Sequence, residues 1–252
     1  MVRLVCGGWV EVRGSGLEDR GGLGDLVAEL GRADLGLVLL VASAGVRAGT
    51  LLAQAGVGAT VLAHPPDSEL SADLTAAGLL ALAPGEYVVR ELGDLRIALV
   101  NGEPRDPDGL AARVRAQAAE VDGVVVLVPR TAWRDGPSRA DRRVADAAAA
   151  AGAGLVVVGP GAPFAGLQRQ GQCLIAFGLG ALVPPPGVPA LGPSALLAVM
   201  LDEDGASSFD CLPVLPADAE HAPRLLDAES ADPLRREMAA ASRQLLGRSS
   251  AI

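Results

Sequence analysis

The chain has 252 residues, of which 50% are hydrophobic and only 2% aromatic, so one large domain or two small ones must form a core from aliphatic side chains. Its formal net charge of −9 argues against nucleic-acid binding, and the absence of lysine excludes a Schiff-base lysine. The three cysteines, Cys6, Cys173 and Cys211, form no CxxC pair. We therefore expect buried thiols in a reducing cytoplasm rather than disulfides or a zinc site.

The N-terminal residues lack the apolar core of a signal peptide. The uncharged run at residues 147–167 is interrupted by glycine and proline, whereas a membrane span needs about 20 predominantly apolar residues. The sequence therefore predicts a cytoplasmic protein with no membrane partner.

The first 100 residues alternate short apolar runs with helical patterns. The first run predicts a strand that ends in a turn at Gly7-Gly8, and Gly93-Asp94 is typical of the turn in a β-hairpin. The predicted strands are at 2–6, 35–41, 59–63, 79–83, 87–91 and 96–100, and the predicted helices are at 23–30, 50–55 and 70–77.

The segment 124–183 has the clearest pattern in the second half. A continuous apolar run at 124–128 is typical of a buried strand. Ser138 followed by Asp141 is a capping-box variant at the start of a helix, which Gly152 ends. The other predicted elements are helices at 110–119 and 233–246 and strands at 155–158, 174–177, 194–201 and 207–214.

Strands that alternate with helices, followed by an antiparallel pair, predict an α/β fold with a mixed sheet. The polar, proline-bearing segment 216–232 is typical of a linker. We expect a domain at 1–215, and at 216–252 a linker with a C-terminal helix.

The segment from Val124 contains, in order, VVVLV, a loop with Trp133 and DGPS, a helix with paired arginines, AGAGLVVVG, and LIAF followed by LG. In order and spacing, roughly residues 2–214 resemble the CapA, or poly-γ-glutamate synthesis, branch of the calcineurin-like metallophosphoesterases. The resemblance implies a layered sandwich of two mixed β-sheets flanked by helices. It also implies divalent metals held at strand ends by Asp, Asn, His and Glu.

The positions that correspond to the family's metal ligands carry other residue types here. The chain has 2 histidines, His64 and His221, and His221 lies in the predicted linker. We therefore expect no metal site and no cofactor. The segments at the ligand positions are Gly7-Gly8, Leu39-Leu40-Val41, Ala63-His64-Pro65-Pro66, Pro129-Arg130-Thr131, 159–163 and 178–181.

Three residues could be catalytic if the pocket has acquired metal-independent chemistry. His64 follows a strand and could be a general base oriented by Asp67 and Glu69, and Arg130 could bind a carboxylate or phosphate. Each also has a structural alternative: an ordinary loop histidine, a solvated carboxylate and a surface arginine. Asp67, in the same loop, is a candidate cap for the helix that starts near residue 70.

Four residues at the ends of the first and the 124–128 strands are candidates for substrate binding. They are Trp9, Glu11, Trp133 and Arg134. The alternative for each is a surface loop with a packed tryptophan.

Two functional hypotheses remain open, and a third is disfavoured. The first is a non-catalytic CapA-like pseudoenzyme that acts as a partner or scaffold subunit in a bacterial biosynthetic pathway. We expect such a subunit to form a homo- or hetero-oligomer, including one with a ligand-complete homologue. The alternative is a metal-independent acid/base enzyme, of isomerase, epimerase or hydrolase type, acting on a small metabolite or peptide. A working metallophosphoesterase is disfavoured because its ligands are missing.

Overall fold

The computed structural model describes residues 1–12, 23, 26–42, 48–62, 64–130, 136–159, 162–184, 194–218 and 221–249. The helices in these ranges are α1 (Leu26–Leu30), α2 (Ala48–Gln54), α3 (Ser68–Ala76), α4 (Pro107–Ala118), α5 (Arg139–Ala150) and α6 (Ala228–Ser249). The strands are β1 (Val2–Val12), β2 (Leu35–Ala42), β3 (Val57–Leu62), β4 (Leu80–Leu82), β5 (Tyr87–Leu92), β6 (Leu95–Asn101), β7 (Gly123–Val128), β8 (Leu155–Val158), β9 (Gly166–Gln170), β10 (Cys173–Phe177), β11 (Ala181–Val183), β12 (Ser194–Asp202), β13 (Gly205–Leu215) and β14 (Arg224–Leu225).

The strands form two mixed sheets. The first has the order β14-β13-β12-β1-β2-β3-β4, with β11 also paired to β1, and the second has the order β5-β6-β7-β8-β10-β9. Strands β1 to β4 are parallel to one another, as are β6, β7, β8 and β10, while β5, β9, β12, β13 and β14 pair antiparallel with their neighbours. The predicted fold class, two mixed sheets flanked by helices with a C-terminal helix, is confirmed.

Three apolar clusters define the layers. The first lies between the sheets and includes Leu37 of β2 and Leu99 of β6. The second covers the other face of the first sheet and includes Leu26, Leu52 and Leu74 from α1, α2 and α3. The third lies between the second sheet and helices α4 and α5. The sheets are therefore stacked face to face, with helices on their outer faces.

Strand β7 shows why a continuous apolar run predicts a buried strand. Val125 and Leu127 belong to the cluster between the sheets. Val124, Val126 and Val128 belong to the cluster under α4 and α5. Successive side chains of a strand point to opposite faces, so a strand buried on both faces needs an apolar residue at every position.

The turn predicted at Gly7-Gly8 is wrong, because β1 continues through both glycines. The pairing of β1 with β2 shifts in register between Cys6 and Trp9, which is the signature of a β-bulge. A Cβ on Gly7 would lie 2.8 Å from Leu182 Cδ1. This glycine therefore permits a close approach of packed side chains within a strand, not a reversal of the chain.

The C-terminal region also differs from the expectation. Helix α6 begins at Ala228, before the predicted start, with Pro233 inside it, and the short strand β14 lies in the segment expected to be a linker. Met238 and Leu245, on the predicted apolar face of α6, are buried. The helix packs against β9, which the sequence interpretation missed, and against β13. Among the described helices, none combines the length and hydrophobicity needed to cross a membrane.

Candidate functional site

The carboxyl-terminal ends of strands from both sheets meet at one edge of the sandwich. Asn101, the last residue of β6, makes the link. Its Nδ2 donates to the carbonyl oxygen of Leu62, the last residue of β3, at 3.0 Å, and to that of Leu82, the last residue of β4, at 2.7 Å. In open α/β sheets, ligands bind beyond the carboxyl ends of the strands, so this edge is the candidate site.

Asn101 is fully buried at this edge and is the chain's one asparagine. Its main-chain N–H donates to Glu86 O and its carbonyl accepts from Gly85 N, both at 2.9 Å. Its side-chain Oδ1 has no hydrogen-bond partner among the described residues. Leaving a buried acceptor without a donor costs about 1–3 kcal/mol of folding free energy. A ligand or water that donates a hydrogen bond to this oxygen would therefore stabilise the protein.

Arg130 follows β7 and is committed to a structural contact. Its Nε donates to Asp141 Oδ1 at 2.9 Å, and the Asp141 side chain is only 2% exposed. The Asp141 Oδ2 accepts from the main-chain N–H of Ser138 at 2.9 Å and from its hydroxyl at 2.7 Å. The predicted capping box is confirmed, and Arg130 connects the end of β7 to it.

His64 and Glu69 are exposed on the loop and first turn that follow β3. Within the described part of the chain, His64 has no hydrogen bond or ion pair, and Glu69 lies where a helix N-terminus favours a negative charge. Asp67 caps α3, because its Oδ1 accepts from Leu70 N at 2.8 Å. The loop therefore has the features of the structural alternatives: an exposed loop histidine, an exposed carboxylate at Glu69 and a helix cap at Asp67. The catalytic roles of His64, Glu69 and Arg130 stay predictions.

The predicted substrate-binding residues cannot be located by their side chains. Trp9 and Glu11 belong to β1, where they pair with Leu39 and Val41 of β2, but their side chains lie outside the described part. Trp133 and Arg134 lie outside the described residues altogether. Their roles stay predictions.

The residues at this edge do not fit a binuclear metal centre. Among the described residues, no group of three or more His, Cys, Asp or Glu side chains could hold a metal ion. Asn101 Oδ1 and the exposed His64 are fewer donors than the four to eight that Zn²⁺, Mg²⁺ or Ca²⁺ takes. Two of the expected ligand positions, Gly8 and Pro129, are buried and carry no ligating side chain.

Close backbone packing occupies the space near β10. Gly178 N donates to Val158 O at 2.9 Å, and a Cβ on Gly178 would lie 2.0 Å from Pro163 O. A Cβ on Gly180 would lie 2.2 Å from Ser194 Oγ. Both glycines have positive φ, so a metal-ligating side chain at either position would meet a steric conflict as well as backbone strain.

Burial raises the pKa of all three cysteine thiols. Cys6 and Cys173 are buried, as predicted, and burial raises the pKa of each thiol to about 12. Cys211 is half-buried, and burial, with Asp210 adding to its effect and Arg235 opposing it, raises the pKa of its thiol to about 12. A thiol with so high a pKa is a poor nucleophile at neutral pH.

Sequence reasoning missed Asn101, a residue that joins the ends of strands from the two sheets. A signal was available: an asparagine at the end of a strongly apolar strand must find hydrogen-bond partners inside the protein. Which partners it finds depends on β3 and β4, which lie in the other sheet.

Three solved structures resemble this chain. A hypothetical protein from Thermus thermophilus aligns with a TM-score of 0.58 and 18% identity over 89% of this chain and 98% of its own. A protein described as a 5'-nucleotidase, from Staphylococcus aureus, in complex with alpha-ketoglutarate, aligns with a TM-score of 0.50 and 11% identity over 94% of this chain and 58% of its own. A Vps29 variant from Entamoeba histolytica aligns with a TM-score of 0.39 and 12% identity over 89% of this chain and 97% of its own.

At these identities the likeness is one of fold. The chain has a metallophosphoesterase-like fold, as the sequence resemblance implied. No protein-family model matches the chain, and no curated protein does.

Proposed function

We propose that this protein is a non-catalytic, CapA-like member of the metallophosphoesterase fold that acts as a partner or scaffold subunit in a bacterial biosynthetic pathway. The observation that carries the proposal is the close packing of the segment that follows β10. The backbone of Pro163 and the residue Ser194 occupy the space that side chains at positions 178 and 180 would need. Leu179, between the two glycines, is fully buried.

The ion pair of Arg130 with Asp141 supports the proposal. A guanidinium has five N–H donors. One of them, the Nε–H of Arg130, donates to a buried carboxylate that also caps α5. This pair stabilises the scaffold, which a non-catalytic subunit retains.

The edge strand β5 supports a role in association. It forms one edge of the second sheet, and its Tyr87 is 49% exposed. An edge strand offers unpaired main-chain groups to another chain, and aromatic side chains are enriched at protein interfaces. A second copy or a ligand-complete homologue could pair with this strand.

The proposal is tested by isolating the tagged chain from its native cells and identifying what co-purifies. We expect a homologue with a complete set of metal ligands, and we expect elemental analysis of this chain alone to find no stoichiometric divalent metal. Tyr87→Lys should weaken the association, whereas His64→Ala should leave it unchanged. Stoichiometric, tightly bound metal in this chain would overturn the proposal.

A metal-independent acid/base enzyme is the second candidate, and the observation that favours it is the unpartnered Oδ1 of Asn101 close to the loop of His64. In this case His64→Ala would abolish formation of the pathway's product while folding and association stayed intact. That outcome would exclude a purely scaffolding role. Unchanged product formation would exclude His64 as the general base.

A further inference from the structure

A cleft of about 360 Å³ lies beside α6. Apolar side chains form most of its wall, and these include Phe164, Leu167, Phe209 and Met238. The size falls in the range of small-molecule sites, about 300–1,000 Å³.

The cleft exists because the core-facing side of β13 is incompletely covered. Phe209 pairs with Val199 and Cys211 pairs with Leu197, and both partners on β12 are fully buried in the cluster between the sheets. Residues that pair directly across an antiparallel ladder point to the same face, so Phe209 and Cys211 face inwards as well. Phe209 is nevertheless 42% exposed. The second sheet ends at β9, and α6 covers only part of the remaining face.

Along α6 the cleft borders a second and more open cavity of about 370 Å³, which shares Arg235 and Ala239 with the first. The second cavity adds Asp232 and Arg236. From residue 232 to residue 242 the helix rises about 15 Å, which is enough for an extended small molecule. We call the two cavities together the α6 groove.

The α6 groove has opposite chemistry at its two ends. One end is apolar, and the other carries the guanidinium groups of Arg235 and Arg236 against the single carboxylate of Asp232. The Arg235–Asp232 contact is long, at 4.0 Å, and the two side chains are 47% and 70% exposed. Exposed pairs of this kind are weak, so a ligand carboxylate can compete for the arginines.

We propose that the α6 groove binds a free, medium-chain amphipathic carboxylate. Its hydrocarbon chain packs between Phe164, Phe209 and Met238, and its carboxylate pairs with Arg235 and Arg236. The proposal rests on the groove alone and stands whether or not the strand-end site is catalytic.

Calorimetric titration of the whole chain with octanoate and decanoate tests the proposal. Each buried CH₂ contributes about 0.8 kcal/mol, so decanoate should bind roughly tenfold more tightly than octanoate. Decanol, which has the chain without the charge, should bind about fivefold more weakly than decanoate, because it loses the charge-assisted contacts. No binding of decanoate below its micellar concentration would overturn the proposal.

Two variants locate the binding site. Ala239 is exposed and belongs to both cavities, so Ala239→Glu should place a carboxylate in the groove and weaken decanoate binding at least about tenfold. Arg235→Gln should weaken it about fivefold. The controls are at exposed positions of α6 outside the groove: Gln244→Glu also introduces a carboxylate, and Arg243→Gln also removes a guanidinium. Both should leave decanoate affinity within about twofold of the unsubstituted protein. Equal losses in the control variants would overturn the assignment.

The cysteine in the groove wall gives an independent readout. Because its thiol has a raised pKa, the half-buried Cys211 should react only slowly with N-ethylmaleimide, at a rate measurable at about pH 9. Decanoate should slow this reaction further, while the buried Cys6 and Cys173 stay unreactive in the native state. Unchanged Cys211 reactivity at saturating decanoate would place the ligand elsewhere and overturn the proposal. Two further results would overturn the proposal, because each identifies a different occupant of the groove. One is binding to anionic phospholipid vesicles in place of free decanoate, and the other is a dimer that dissociates in Phe209→Ala.

Discussion

Replacing Asp141 with alanine tests whether the contact at the end of β7 is structural. The carboxylate is 2% exposed and accepts three hydrogen bonds, one from Arg130 and two from Ser138. Loss of one partner of a buried ion pair costs about 3–5 kcal/mol, and loss of a helix cap costs about 1 kcal/mol. Because the Arg130 side chain is 35% exposed, solvent screening lowers the first figure, and we expect a total of about 3 kcal/mol.

The assay is urea and thermal unfolding followed by circular dichroism. For a chain of this size, 3 kcal/mol corresponds to a melting temperature lower by about 6–12 °C. Asp146→Ala is the matched control, because this carboxylate is exposed on the same helix, and it should change the free energy of unfolding by less than about 0.5 kcal/mol.

A double-mutant cycle with Arg130→Ala separates the pair from the cap. We expect a coupling free energy of about 1 kcal/mol between Arg130 and Asp141. Coupling near zero, or an Asp141→Ala variant as stable as the control, would refute the structural role. It would also return Arg130 to the set of residues available for an anionic substrate.

Three other predictions concern the core. Gly7→Ala should lower the free energy of unfolding by about 1–3 kcal/mol, because its Cβ would lie 2.8 Å from Leu182 Cδ1; unchanged stability in urea titration would contradict the packing at the bulge. Asn101→Asp should lower that free energy by about 3 kcal/mol and more than Asn101→Leu does, because a carboxylate cannot donate to the two carbonyl oxygens; the reverse order in thermal unfolding would contradict the proposed orientation of the amide. The folded-state pKa of Cys6 is raised to about 12 from an ordinary 9.0, so its contribution to stability is complete below pH 9 and is lost as the pH rises to 12, by about 1.4 kcal/mol per unit. In Cys6→Ala the pH dependence of unfolding between 9 and 11 should be flatter, and an identical slope would contradict the shift.

The predictions that succeeded depend on local signals. Ser138 and Asp141 are three residues apart, and the capping box forms within one turn of helix, so its partners are set by spacing along the chain. The hairpin at Gly93-Asp94 depends on turn geometry in the same way. Continuous apolar runs predicted β2 and β7 because a strand covered on both faces needs them.

The failures depend on neighbours that are distant in sequence. Gly7 looks like a turn residue in isolation, and only the side chain of Leu182, far along the chain, makes it a strand residue. Strand β9, with the sequence GLQRQ, has little apolar pattern, because it is the edge of its sheet and is covered on one side by α6.

The sequence by itself determined the local elements and, through their order, the class of fold. It also determined that few metal-ligating side chains follow the core strands, because residue identity needs no folding to be known. Only the tertiary structure decided how the remaining polar groups are used: Arg130 on Asp141, and Asn101 between the sheets with one oxygen unpartnered. The α6 groove likewise exists only in the folded protein, because its apolar wall combines residues of β13, α6 and the segment around β9. Hydrogen bonds and cavities arise between surfaces that meet only after folding, so no periodicity along the chain encodes them directly.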